Sequence, residues 1–167
     1  MHAWGSLCLP SIVFTPIEMR VSIRRAESVT LATHRGVIRR AALGPLLRRC
    51  GDAMAVGRRA SLAVRLTDDD ELRELSTRFL GVDAPTDVLA FPADEPGRAG
   101  DIAISVERAI AQGDGDGVAE LRLLAVHGLL HCLGHDHAGA DGAAAMTAST
   151  RALLPDQQVP QLLAPAD

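Results

Sequence analysis

The sequence predicts an α+β domain, a small mixed four-stranded sheet covered by helices. Three observations predict it. Short segments that alternate or run apolar between turn residues read as strands. Longer segments with apolar positions three and four apart read as helices. The two kinds follow one another as β-α-β-α-β-β-α-α-α without an internal repeat or a second core, and the adjacent pair of strands makes the sheet mixed.

Met19 to Ile23 alternates like a short strand. Residues 29–49 carry Leu31, Val37, Ile38, Ala41, Leu46 and Leu47 with arginines between them, an amphipathic helix with a basic face, broken in its pattern by Gly44-Pro45. Ser61 to Thr67 alternates with period two and reads as a strand. Asp68, Asp69 and Asp70 then open a helix over 69–79, placing acids where the helix dipole favours them. A loop with Pro85 leads to a short buried strand, Asp87 to Pro92, and a turn-rich stretch leads to a second, Gly100 to Ser105. A short helix over 106–112, the flexible joint Gly113 to Gly117, and the strongest helix, Glu120 to Leu133, come next, with Gly134 as its stop. Residues 141–154 form the last helix. The single domain therefore runs from 19 to 155. Residues 1–18, interrupted by Pro10 and Pro16, read as a non-native or disordered extension before a start at Met19, and 156–167 as a frayed tail.

Composition narrows the class. The 167 residues are 47% hydrophobic and 23% charged, an ordinary globular domain. No run of 18 apolar residues exists, which excludes a membrane-spanning helix. Cys8, Cys50 and Cys132 are odd in number and far apart, which points to a reducing cytoplasm rather than a disulfide framework. The formal charge of −4 hides an asymmetry: residues 20–65 hold eleven Arg against Glu27 and Asp52, while 66–167 hold six Arg against eighteen acids. A basic face of that kind can bind a polyanion. Trp4, Phe14, Phe79 and Phe91 are the only aromatics, so contact with RNA would fall to arginine rather than to base-stacking platforms.

The chemistry lies in His127-Gly-Leu-Leu-His131-Cys-Leu-Gly134-His135-Asp136-His137. His127 and His131, four apart on a helix, stand one turn apart on the same face and can share one metal ion. Gly134 lets the backbone leave the helix and fold back, presenting a third imidazole from His137 or His135. Three histidines leave a fourth position open, the pattern of a catalytic rather than a structural zinc. An all-imidazole set favours Zn2+, one per chain, over iron. Asp136 can bond a neighbouring imidazole or cap the turn. Cys132 points about 100° away from His131 and reads as packing. The same H-x3-H-x2-G-x2-H spacing occurs in metzincin proteases, which place a Glu general base directly after the first histidine. Here that position is Gly128, which disfavours peptide hydrolysis by that route and leaves phosphodiester hydrolysis open.

With these residues the chain resembles the YbeY family of single-strand-specific metallo-endoribonucleases. The histidine segment resembles that family's H-G-x-L-H-x-x-G-x-D-H signature, Asp83 to Pro92 its D-x-P-T-D-V-L-S-F-P block, and Gly100 to Ser105 its G-D-I-x-I-S block. The resemblance covers about residues 70–140. It implies zinc ligands His127, His131 and His137, with His135 as a nearby proton carrier or bystander. It also implies single-stranded RNA, ribosomal RNA and the small ribosomal subunit as partners, and cleavage at the 3′ end of 16S rRNA during maturation and ribosome quality control. One departure is Leu80, where the family often has an Arg facing substrate. Phosphate contact is then expected from Arg39, Arg40, Arg48 and Arg49. The alternatives are a zinc metalloprotease-like hydrolase and a non-catalytic, zinc-stabilised factor that binds RNA or the ribosome.

Overall fold

The computed structural model describes residues 18–161, apart from 58, 85, 114 and 115. The extension expected before Met19 lies outside the described residues except for Glu18, as does the tail beyond residue 161.

The four strands are β1 (Arg20–Arg25), β2 (Ser61–Thr67), β3 (Val88–Pro92) and β4 (Arg98–Ser105), ordered β1-β2-β4-β3. β1 and β4 both run parallel to β2, and β3 pairs antiparallel with β4, so the sheet is mixed as expected. Strand alternation sorts the side chains onto two faces. Leu62, Val64, Leu66, Ile102 and Ile104 are each at most 1% exposed and form the main core with the helices above them. On the opposite face, Leu89 and Ala103 with the partly buried Phe91 make a small second cluster under Leu72 and Leu75.

Those two residues belong to α4 (Asp69–Leu80), which starts as expected: the Asp68 carboxylate accepts from the Glu71 N–H, and three acids fill the first turn. The span 29–49 differs from expectation. Instead of one helix it holds α1 (Val29–Thr33), α2 (Arg35–Ala41) and α3 (Leu43–Ala53). The second break falls at Ala42, which is left-handed with φ 48° and ψ 45°. Pro45, expected to interrupt the helix, instead sits in the first turn of α3, where its missing N–H costs nothing.

After β4 come α5 (Val106–Gln112), α6 (Val118–Cys132) and α7 (Ala140–Leu153). α6 is apolar almost all round because it lies between the sheet and its neighbouring helices: Leu121, Ala125, Val126, Leu129 and Leu130 are fully buried. Among the described residues, no helix is long and apolar enough to cross a membrane. The tail read as frayed from residue 156 is held further than expected. The Arg151 guanidinium donates to the Val159 carbonyl at 3.3 and 3.4 Å, Gln157 donates to the Ala119 carbonyl at 3.2 Å, and Val159 is only 9% exposed.

Candidate metal centre

α6 packs closely on the sheet at Gly128, where a Cβ would stand 2.7 Å from Cγ2 of Ile102. The residue next to His127 therefore faces β4 and has no room for a side chain. A glutamate general base could not occupy it. The neighbouring contact is equally tight: a Cβ on Gly100 would come within 2.7 Å of the Cys132 sulfur. Cys132 is thus packing material, as its position predicted, and burial pushes its thiol up to about 11.

The helix then ends in a way that brings three histidines together. Gly134 adopts φ 84°, its N–H donates to the His131 carbonyl at 3.0 Å, and the His135 N–H reaches back to the Leu130 carbonyl at 3.0 Å. This is a Schellman stop, and it reverses the chain so that His137 faces the helix it has just left. The Asp136 carboxylate accepts from the His137 N–H at 2.7 Å, and the α7 backbone at Gly142 lies against the Asp136 carbonyl, fixing the loop.

His127 and His131 bring their Nε2 atoms to 3.1 Å. Ring centroids are 4.7 Å apart for His127 and His131, 5.4 Å for His127 and His137, and 5.1 Å for His131 and His137. One donor atom from each of the three lies within 4.8 Å of the others, and this is the only such trio of His, Cys, Asp or Glu among the described residues. Two zinc–nitrogen bonds of ~2.05 Å at a tetrahedral angle would set nitrogens ~3.3 Å apart, close to the observed pair. Burial, followed by the positive charges His131 and His137 would carry, pushes His127 down to about 4, and burial also lowers His131. Both are neutral near pH 7, with lone pairs available. The His137 Nδ1 is buried without a hydrogen-bond partner. Two desolvated imidazoles with lowered pKa and a third whose buried nitrogen lacks a partner are a donor set that fits a divalent ion.

His135 does not join the trio. It lines a separate cleft with Arg59, Arg98 and Leu133. Asp136, in addition to capping its turn, holds the His131 pKa up against burial. The four arginines expected to meet phosphate are spread over α2 and α3. Arg40 pairs with Asp116 at 2.9 Å and Arg48 with Glu18 at 3.1 Å, Arg39 is exposed, and Arg49 lines a pocket with Cys50 and Arg122. None of them lines the pocket that opens beside His127. Leu80 is 58% exposed at the end of α4, and Arg78 lies over the Phe79 ring at 5.3 Å.

The pocket beside His127 contains residues that the sequence pattern did not single out for the site: Asp87 and Glu120, with Val159 as part of its wall. Glu120 precedes His127 by seven residues, two helical turns on the same face, so its place was readable from spacing alone.

Comparison with known proteins places the chain among relatives of one family. A protein-family model described as Endoribonuclease YbeY matches residues 37–158. An "Endoribonuclease YbeY" of Moorella thermoacetica is 42% identical over 128 residues, covering 67% of this chain and 82% of that protein. Those of Gloeobacter violaceus and Rhodopseudomonas palustris are 47% and 40% identical over 106 and 119 residues. These alignments take in 56% and 65% of this chain but only 55% and 63% of the two relatives.

Proposed function

The chain belongs to the endoribonuclease YbeY family, nucleases that hydrolyse RNA phosphodiester bonds, and from that premise we propose that it is a zinc-dependent, single-strand-specific endoribonuclease acting on ribosomal RNA. The reading extends to maturation of the 16S rRNA 3′ end and to ribosome quality control on the small subunit, in the cytoplasm. The observation that carries it is the convergence of His127, His131 and His137.

In this reading the three imidazoles hold the ion. Bound there, zinc supplies Lewis acidity, which makes a nucleophile available near neutral pH and offsets charge growing at phosphorus. The protein's own part is orientation and dryness. α6 fixes two imidazoles one turn apart, the Schellman stop delivers the third, and Asp136 holds the turn. Burial keeps His127 and His131 unprotonated and so ready to donate. The protease alternative loses ground at Gly128, whose position is pressed against Ile102.

The test is metal content and cleavage measured side by side on wild type and His131→Ala, with a ribosomal RNA precursor carrying a single-stranded 3′ extension. About one zinc per chain, and cleavage that falls at least ~100-fold in the variant with loss of the zinc, is expected. Equal residual cleavage in both proteins would identify a contaminant and favour the binding-factor alternative. A wild type without metal would remove the reading.

A further inference from the structure

The pocket beside His127 has a chemistry that metal binding does not use. Its volume is about 210 Å³, and Leu123, Leu124 and Val159 give it apolar walls. Asp87 and Glu120 supply its charged groups, and no Arg lines it. A phosphate would meet repulsion there. A second metal ion is not favoured either, because among the described residues no trio that includes these carboxylates comes within ligating distance. Burial, followed by the negative charge of Asp87, raises the pKa of Glu120. A ligand that presents hydrogen-bond donors to these carboxyl groups and apolar surface to the walls would suit the pocket.

A nucleobase of the RNA strand has that form. Recognition of single-stranded RNA works by splaying a base out and bonding its Watson–Crick edge. A carboxylate only accepts, and guanine offers it two adjacent donors, N1–H and the N2 amino group. Uracil offers one donor between two carbonyls that the carboxylates would repel. His127 is part of the pocket wall, so a base held there would lie next to the imidazoles proposed to hold the ion.

We propose that the pocket between α6, β3 and the C-terminal segment is a nucleobase subsite that selects guanine next to the cleaved bond, with Glu120 accepting from the base edge and Leu123, Leu124 and Val159 packing on its faces. This rests on the nuclease reading above, and the experiment separates the two.

Guanosine and uridine, which lack phosphate, are titrated into the zinc-loaded protein while the methyl resonances of Leu123, Leu124 and Val159 are followed. The same protein is then given single-stranded RNAs that differ only in the base at each position around the cut. Guanosine is expected to shift these methyls and uridine to leave them. One position is expected to show about a tenfold kcat/KM preference for guanine over uracil, with inosine between them. In Glu120→Gln, with zinc content unchanged, the guanosine shifts should vanish and the preference should fall toward one. No guanosine shifts, equal shifts with uridine, or a preference untouched by Glu120→Gln would overturn the subsite. Guanosine-selective shifts lost in Glu120→Gln, in a protein that cuts no RNA, would support the subsite and sink the nuclease reading instead.

Discussion

The face of α6 that meets the sheet and the face that carries the histidines follow opposite rules. Against β4 the packing is close: Gly128 has no space for a Cβ, and Cys132 fills the gap left by Gly100. On the histidine face, polar groups are withdrawn from water without being fully bonded, as the orphaned Nδ1 of His137 and the depressed pKa of His127 show. Packing against the sheet stabilises the fold. The histidine face costs stability until something binds there. Both faces belong to one rigid helix, so the stabilising face positions the costly one.

The comparison breaks most sharply with acid. In the metal-free protein, kept so with chelator, His127 titrates near 4 when folded and near 6.5 when unfolded. Above 6.5 neither state binds the proton and the residue is neutral in its effect. As pH falls below 6.5 the unfolded chain takes up the proton first, so stability is lost progressively down to about 4. The loss due to this residue is on the order of 3 kcal/mol across that window. Urea denaturation at pH 7 and at pH 4.5 should show a smaller acid-induced drop for His127→Asn than for wild type. Equal drops would mean the imidazole is not desolvated.

The sheet side is next. Gly128→Ala should gain about 1 kcal/mol of helix propensity and lose about 1–3 kcal/mol to overpacking. Ile102 is β-branched, and its Cγ2 cannot swing away cheaply. The overpacking cost therefore falls in the upper part of its range, and the expected net is a loss of up to about 2 kcal/mol, seen as a lower urea midpoint. Ile102→Ala is destabilising by itself through the cavity it leaves. The double variant should lose clearly less than the sum of the two, because each change makes room for the other. Strict additivity would show that the close approach is not what demands glycine.

The two faces were not equally legible in the sequence. The spacing of His127 and His131 ahead of Gly134 predicted that a third imidazole, from His137 or His135, would fold back beside them, and the family resemblance pointed to His137. Gly128 was visible only as a missing general base. Its steric reason needed the register that puts Ile102 beneath it. Strands and helices from Ser61 onward were legible because one period dominates each segment. The breaks in 29–49 were not, since the left-handed residue at one of them is Ala42, a type with no preference for that conformation. The segment from residue 156 reads as a frayed tail for a related reason: the contacts that hold it as far as Val159 come from Arg151 and Ala119, which no local pattern could indicate.

Gly134 sharpens the comparison with the smallest effect, since it belongs to neither face and sets how the chain passes from one to the other. Nothing lies within 4 Å of where its Cβ would be, so Gly134→Ala meets no clash. Only the backbone conformation at φ 84° resists, costing about 1 kcal/mol. Gly128→Ala differs in kind, because there the helical backbone suits alanine and the neighbour does not. If the Schellman stop is what delivers His137, Gly134→Ala should also weaken zinc retention against a competing chelator, by several-fold. Gly128→Ala, at equal or greater cost in stability, should disturb zinc retention less. Asn tolerates the left-handed region better than Ala, so Gly134→Asn should recover part of both losses. Zinc retention that tracks overall stability in all three variants, whatever the site of the change, would show that the turn has no separate part in holding the histidines.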